Sequence, residues 1–504
     1  MPNHLLDQIR AAIPSPAAPF LAPPGEPAFT YGDMLAASAR LAHVLVAQGV
    51  RPGDRVTAQV EKSPQAIFLY LACIRAGAVF MPLNAAYTLP ELAYFIGDAE
   101  PKLLVGAPEK ADAIAPLAQN AGIALLTLGS HGEGTLMQAA VMQPADFEDV
   151  SRERDDLAAL VYTSGTTGRS KGAMLTHGNL ASNAQTLVAL WRFTRDDRLL
   201  HALPIFHTHG LFVATNVILL AGASMIFMAR FDADQMMREM PRATCLMGVP
   251  TFYVRLLQHA GLTRATSAHM RLFISGSAPL LAETHVMWSQ TTGHAILERY
   301  GMTETNMIAS NPYDGARVPG AVGMPLPGVD VRIADAESGR LLPQGEIGMI
   351  EVRGPNVFAG YWRMPGKTMA EFRPDGYFIT GDLGKIDDAG YVHIVGRGKD
   401  LVITGGCNVY PKEVESEIDA LPGVLESAVI GVPHRDFGEG VTAVVVARPG
   451  AVLEEKAILA ALERRLAKYK HPKRVLTVAE LPRNAMGKVQ KNVLQAQFKG
   501  LYGG

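Results

Sequence analysis

Hydroxyls, glycines and one lysine crowd the stretch Thr163-Ser-Gly-Thr-Thr-Gly-Arg-Ser-Lys171, a composition suited to cradling phosphate. Small residues, Gly165 and Gly168 among them, let backbone N–H groups turn toward an anion. The hydroxyls of Thr163, Ser164, Thr166 and Thr167 add donors, and Lys171 adds positive charge. The apolar, strand-like run 157–162 that precedes it would deliver the loop to a sheet edge. Its register is not that of the common P-loop, G-x-x-x-x-G-K-[ST]. Taken by itself, the stretch could also be a Ser/Thr/Gly-rich surface turn.

Other residues gain meaning from their chemistry. Arg299 presents a planar fork matched to a carboxylate, although it could instead pair with Glu298, Glu304 or another local acid. His207 and His209 have a His-x-His spacing, but two imidazoles without nearby carboxylates are weak evidence for a metal.

The loop resembles the phosphate-binding signature of the adenylate-forming superfamily, which contains acyl-CoA synthetases, luciferases and the adenylation domains of peptide synthetases; Ser170 departs from the usual proline. The later motifs follow in the family's order from about residue 30 to 495. The resemblance implies that Tyr300-Gly301-Met302-Thr303-Glu304 stacks on adenine through Tyr300, reaches phosphate through Thr303 and holds Mg²⁺ through Glu304, with Thr167 as a second metal contact. It implies that Ser277, in Ser275-Gly-Ser-Ala-Pro279, lies against the nucleotide and acyl group, and that Asp382 and Arg397 hold the ribose. Lys488 is implied to be catalytic, stabilising charge as a carboxylate attacks the α-phosphate. Lys399 falls at the pivot, and Gly405 and Gly406 line a pantetheine tunnel.

Within the superfamily, three segments closely resemble bacterial malonyl-CoA synthetases: residues 298–306, the loop 163–174 with its Ser170, and Leu203-Pro-Ile-Phe-His-Thr-His-Gly-Leu-Phe-Val213. On that resemblance Arg299 holds the distal carboxylate of malonate, with His207 and Ser277 assisting, and methylmalonate is a second substrate. The implied activity is an AMP-forming ligase using ATP, Mg²⁺ and coenzyme A. A CoA ligase for a short monocarboxylic or aromatic acid, with a structural Arg299, is the alternative; a freestanding adenylation domain loading a carrier protein is another. Family analogy also suggests a lysine acetyltransferase and deacetylase acting on Lys488.

Composition narrows the classes. A net charge of −2 over 504 residues favours neither nucleic acid nor an anionic membrane as a partner. Cys73, Cys245 and Cys407 are too scattered for a disulfide framework. With no secretory or transit pattern at the N-terminus, a cytoplasmic location is expected. The apolar run 211–220 is too short to span a bilayer and reads as a buried helix.

The elements that must position these residues alternate in period. Helical periodicity marks 65–76, 177–191 and 251–259, and strands are expected at 78–81, 102–105, 199–203 and 271–274. The pattern predicts an α/β fold with layered parallel sheets in a large N-terminal body, 1–397. After about Pro312 shorter strands with Gly and Pro turns, at 345–354 and 390–395, predict a small β-rich subdomain. A helix from Pro411, strands at 425–432 and 441–447 and a helix over 455–468 predict a small α+β domain, 398–504. The hinge is expected within 397–400.

Overall fold

The computed structural model describes residues 2–163, 170–404, 407–434, 436–463, 465–466, 468–484 and 487–502. They form two compact units, Met1–Asp330 with Arg353–Phe378, and Val331–Val352 with Ile379–Gly504.

The first unit is built on two mixed, mainly parallel sheets. In one, strands run in the order Ala124–Thr127, Leu103–Gly106, Arg55–Gln59, Val79–Pro82, Leu157–Thr163 and Lys171–Thr176. The other carries, side by side, Leu297–Met302, Leu272–Ser275, Cys245–Gly248, Arg198–His201 and Ser224–Phe227, all parallel. Continuous burial of strands such as Leu103–Gly106 and Leu272–Ser275 explains why they read as apolar runs rather than alternating ones: helices cover both faces of a parallel sheet.

Local chemistry sets the helix ends. Pro64–Ala76 starts where the Ser63 side chain accepts the Ala66 N–H, has Pro64 in its first turn, and stops at Gly77 in the left-handed region, φ +70°. His177–Leu190 starts at a reciprocal cap between Thr176 and Asn179. The run expected as one buried helix at 211–220 is buried, but it begins as a π-helical segment, His209–Thr215, and becomes α-helical over Asn216–Ala221. Such wide turns concentrate at functional sites.

In the second unit the expected β-rich part is a sheet of Asp330–Ala334, Gly348–Arg353, Phe378–Ile386 and Val392–Arg397, and it groups with the C-terminal residues. Beyond it, Val424–His434 and Gly438–Ala447 form a long antiparallel pair, joined in parallel by Arg474–Val478. The helix expected over 455–468 ends at Leu462; a short 3-10 turn, Lys468–Lys470, follows. His471 precedes Pro472, which disfavours α conformation there. No helix among the described residues is long and apolar enough to cross a membrane.

The parallel strands are pinned at their amino ends. Arg271 makes two bonds to Asp197, Nε to Oδ1 at 2.6 Å and Nη2 to Oδ2 at 2.7 Å, and Asp197 also accepts from Thr244 Oγ1 and the Thr194 N–H. Burial pushes the Asp197 carboxyl up, but the bonds from Arg271, Thr194 and Thr244 outweigh it and hold the group below its usual range. Its stabilisation is therefore present above about pH 4, the unfolded value, and is lost as pH falls through the lower folded value. Replacing Asp197 with Ala leaves Arg271 uncompensated and is expected to cost about 3 kcal/mol in a urea unfolding titration at neutral pH, with a smaller difference from wild type at pH 3.

Candidate active site

Parallel strands deliver their loops to one carboxyl edge, where ligands of open α/β sheets bind. Register aligns Met247 with His201, Gly248 with Ser275, and Ser275 with Glu298. The segments leaving those ends carry His207 and His209, Gly276 and Ser277, and Arg299 to Glu304.

Arg299 lies at the centre of this group. It is 4% exposed, and its Nε and Nη2 have no hydrogen-bond partner among the described residues. A Cβ built on Gly276 would stand 2.4 Å from Arg299 Cζ, so the guanidinium packs on bare glycine backbone. Glu298 faces His285 Nδ1 at 3.2 Å, and Glu304 faces Tyr361. Neither forms an ion pair with Arg299. Burial, only slightly offset by Tyr253, lowers the Arg299 pKa to about 9.

The same burial, reinforced by the Arg299 charge, lowers His207 to about 4 and His209 well below its ordinary value. Both imidazoles are neutral at pH 7. The His209 backbone N–H donates to His207 Nδ1 (3.2 Å), which places the His207 proton on Nε2 and leaves a donor for a ligand. His209 Nδ1 meets Ser277 Oγ at 3.1 Å, while its buried Nε2 has no partner. Ser277 adopts φ +71°, an uncommon conformation for a non-glycine residue. His209 and Gly276 were not expected as site residues; the His-x-His spacing was the only hint of the first.

Tyr300, Gly301 and Met302 end the strand Leu297–Met302, with a bulge between Tyr300 and Gly301 where it pairs with Asn306–Ser310. A side chain on Gly301 would approach the Asn306 carbonyl to 1.9 Å. Thr303 and Glu304 form the turn that follows. Glu304 is 6% exposed, burial raises its pKa, and Oε1 accepts from Tyr361 Oη at 3.0 Å.

Thr163 and Lys171 pair across the mouth of the phosphate loop. Ser164, Gly165, Thr166, Thr167 and Gly168 lie outside the described residues. Lys171 Nζ sits 3.2 Å from Glu371 Oε1 and 4.1 Å above the Tyr361 ring. Tyr361 Oη is also 2.6 Å from Glu371 Oε2. Residues 359–362 reach this place by pairing along Lys171–Thr176, with Trp362 N donating to Gly172 O and Met174 N to Gly360 O. Nothing in the sequence pointed to Tyr361 or Glu371.

The second unit by itself carries the other residues expected from the sequence. Asp382 and Arg397 are register partners, with Arg397 Nε 3.0 Å from Asp382 Oδ1. Lys399 occupies the 3-10 turn Gly398–Asp400. Lys488 follows a tight turn in which Gly487 has φ +74° and Asn484 Oδ1 accepts the Lys488 N–H at 2.9 Å. Burial, then the Arg397 and Lys399 charges, lower its pKa to about 8 against the opposing charges of Asp382 and Asp400. Gly405 and Gly406 lie outside the described residues.

Comparison with known proteins agrees along the whole chain. Residues 11–362 match the AMP-binding enzyme family and residues 413–488 match the AMP-binding enzyme C-terminal domain. A feruloyl-CoA synthase of Amycolatopsis sp. is 39% identical over 480 residues, 94% of this chain and 95% of that one. The mitochondrial malonate–CoA ligase ACSF3 of Mus musculus is 38% identical over 490 residues, 90% of this chain and 83% of its own. The crystal structure of ATP-bound MatB from Rhodopseudomonas palustris superposes with a TM-score of 0.98 at 62% identity, covering 100% of both chains.

The charges around Lys488 make its acidity adjustable. Amine labelling of the ligand-free protein, followed by mass spectrometry across pH, is expected to show a Lys488 midpoint near 8. Arg397→Ala removes a like charge and should move the midpoint up, whereas Asp382→Asn should move it down.

Proposed function

This chain belongs to the AMP-binding enzyme family, and we propose that it is an AMP-forming ligase converting malonate, ATP and CoA to malonyl-CoA, AMP and pyrophosphate, with methylmalonate as a second substrate. In the first step a malonate carboxylate oxygen attacks the α-phosphorus of ATP and the bond to pyrophosphate breaks. In the second the CoA sulfur, having lost its proton, attacks the acyl carbon and the bond to AMP breaks. The chain is similar to MatB and to malonate–CoA ligases, which supports the reading.

The observation that carries malonate is the Arg299 guanidinium. An uncompensated buried charge costs roughly 3–5 kcal/mol relative to a paired one, and a ligand carboxylate supplies the missing partner in a planar fork. A monocarboxylic acid spends its only carboxylate on the adenylate. A diacid keeps one for Arg299, with Ser277 and the Nε2 proton of His207 beside it. The feruloyl-CoA synthase relative keeps a monocarboxylic acid as the second reading, in which Arg299 is structural.

In this assignment Thr163, Ser164, Gly165, Thr166, Thr167, Gly168 and Lys171 cradle the triphosphate, and Tyr300 stacks on adenine within the Tyr300–Thr303 segment. Asp382 and Arg397 take the ribose, and the lowered but largely protonated Lys488 stabilises charge on the reacting phosphate and carboxylate. Glu304 fits Mg²⁺, with Thr167 assisting: it is a buried carboxylate with no ion pair among the described residues, the hard oxygen donor such an ion takes. When bound, Mg²⁺ neutralises phosphate charge. Thioester formation needs Lys488 withdrawn, so the C-terminal domain beginning at 398 would pivot at Lys399 and bring Gly405 and Gly406 to the pantetheine chain. A lysine acetyltransferase acting on Lys488 would switch the enzyme off by deleting its charge. Cys73, Cys245 and Cys407 are free thiols, in keeping with a cytoplasmic setting.

Arg299→Leu is expected to raise the malonate KM by about 100-fold or more with the ATP KM little changed, measured by Mg²⁺- and CoA-dependent AMP release over malonate, methylmalonate, succinate, acetate and benzoate. Preference of the wild type for benzoate or acetate would remove the diacid assignment. Lys488→Ala should lose adenylate formation by about a thousandfold yet still convert supplied malonyl-adenylate to thioester; equal loss of both steps would refute the division of labour.

A further inference from the structure

We propose that Lys62 and His201 are positioning residues for the acid-binding turn: Lys62 fixes the tautomer of His201, and His201 in turn clamps the Gly210 carbonyl that holds His207 and His209 in place. The proposal rests on the acid-binding reading of that turn and concerns residues with no part in it so far.

Lys62 precedes the helix Pro64–Ala76, and His201 ends the strand Arg198–His201. Both are buried, at 8% and 0% exposure. Lys62 makes no ion pair with a carboxylate among the described residues. Its Nζ lies 2.9 Å from His201 Nδ1, 2.9 Å from the His201 carbonyl oxygen and 4.2 Å above the Phe227 ring. These contacts offer an amine only acceptors.

His201 Nε2 stands 2.9 Å from the Gly210 carbonyl oxygen. A carbonyl can only accept, so Nε2 must carry a proton. With the imidazole neutral, Nδ1 is then an acceptor, and Lys62 must donate to it. Burial pushes both side chains toward their neutral forms, and a neutral amine still has one N–H for each of its two acceptors. Removing Lys62 leaves Nδ1 buried and unpaired. The tautomer with its proton on Nδ1 would then turn the Nε2 lone pair against the Gly210 oxygen.

Gly210 is a sensitive point. Its carbonyl also accepts from Thr215 Oγ1 at 2.9 Å, its N–H donates to the His207 carbonyl at 3.1 Å, and the Leu211 N–H reaches the same oxygen at 3.0 Å. A Cβ on Gly210 would stand 2.1 Å from the Pro204 carbonyl oxygen. The π-helical segment starts here, so a shift of the Gly210 carbonyl turns His209 away from Ser277 and moves His207 with it.

The test compares Lys62→Met, His201→Phe and the double variant. Lys62→Met is expected to raise the KM for the acid by about tenfold, the effect of one buried acceptor left unpaired, with the ATP KM within about twofold. The double variant should be no worse than His201→Phe alone, because both break one chain of bonds. Equal rises in both KM values, or multiplying effects, would overturn the proposal. Should Lys62→Met not fold, Lys62→Gln, which keeps an N–H donor, is expected to retain most of the acid affinity, and its loss would count against the clamp. Histidine ring ¹⁵N spectra of the ligand-free protein separate this proposal from the substrate assignment: a His201 proton on Nε2 that is displaced in a Lys62 variant supports the clamp whichever acid is preferred, and a proton on Nδ1 in the wild type would refute it.

Discussion

A guanidinium buried without a counter-anion among the described residues constrains everything packed around it. Arg299 cannot relax toward water, and its nearest acids are engaged elsewhere, Glu298 with His285 and Glu304 with Tyr361. The surrounding chemistry follows from that charge. Two imidazoles beside it stay neutral because burial disfavours their charged forms and the Arg299 cation adds repulsion. Gly276 must lack a side chain because the guanidinium occupies the space one would fill. Ser277 accepts a left-handed backbone, and the strain locates its hydroxyl against His209. The unit thus groups a buried cation with a hydroxyl and imidazoles of fixed position, an arrangement of the preorganised kind that lowers the cost of binding an anion.

A complementary imbalance surrounds the phosphate-loop lysine. Tyr361 has a single phenolic proton, yet carboxylate oxygens of Glu304 and Glu371 both lie within hydrogen-bond distance of its oxygen. Only one can receive it. Glu371 is the better-compensated anion: burial raises it, but bonds from Lys367 and Tyr361 and the Lys171 charge bring it below its usual range. Burial holds Glu304 up, outweighing the bond from Tyr361 and the Lys171 charge, with the Glu371 charge adding to the rise. The site therefore couples one satisfied carboxylate to one that still lacks a cation, and the second is the one placed in the turn beside Tyr300.

Much of this was legible in the sequence because it is local. Strands buried on both faces read as apolar runs, Ser63 and Gly77 delimit a helix, and the glycine- and hydroxyl-rich loop announces its chemistry by composition. Arg299 stood out by its residue type, and His207, Ser277, Asp382, Arg397 and Lys488 stood in short segments whose family resemblance gave them expected roles. Tyr361 and Glu371 did not, because their meaning comes from pairing with a strand about 200 positions earlier (371 − 171). Lys62 was silent for the same reason: a lysine before a helix looks solvated until the fold brings it to His201, 139 positions later. The π-helical start of residues 209–215 was also hidden, since its apolar residues fit an α-helical period as well.

The second unit meets a different electrostatic requirement. In the role proposed for it Lys488 must be charged, yet burial and the Arg397 and Lys399 charges lower its pKa. Asp382 resolves the conflict by pairing with Arg397 at 3.0 Å while also drawing the Lys488 proton inward. With a pKa of about 8 the ammonium form still dominates at pH 7 by about ten to one. Asp382 thus acts on both neighbours: its charge pairs with Arg397 and opposes the lowering of Lys488, and a neutral amide in its place would keep hydrogen-bonding capacity but lose that charge.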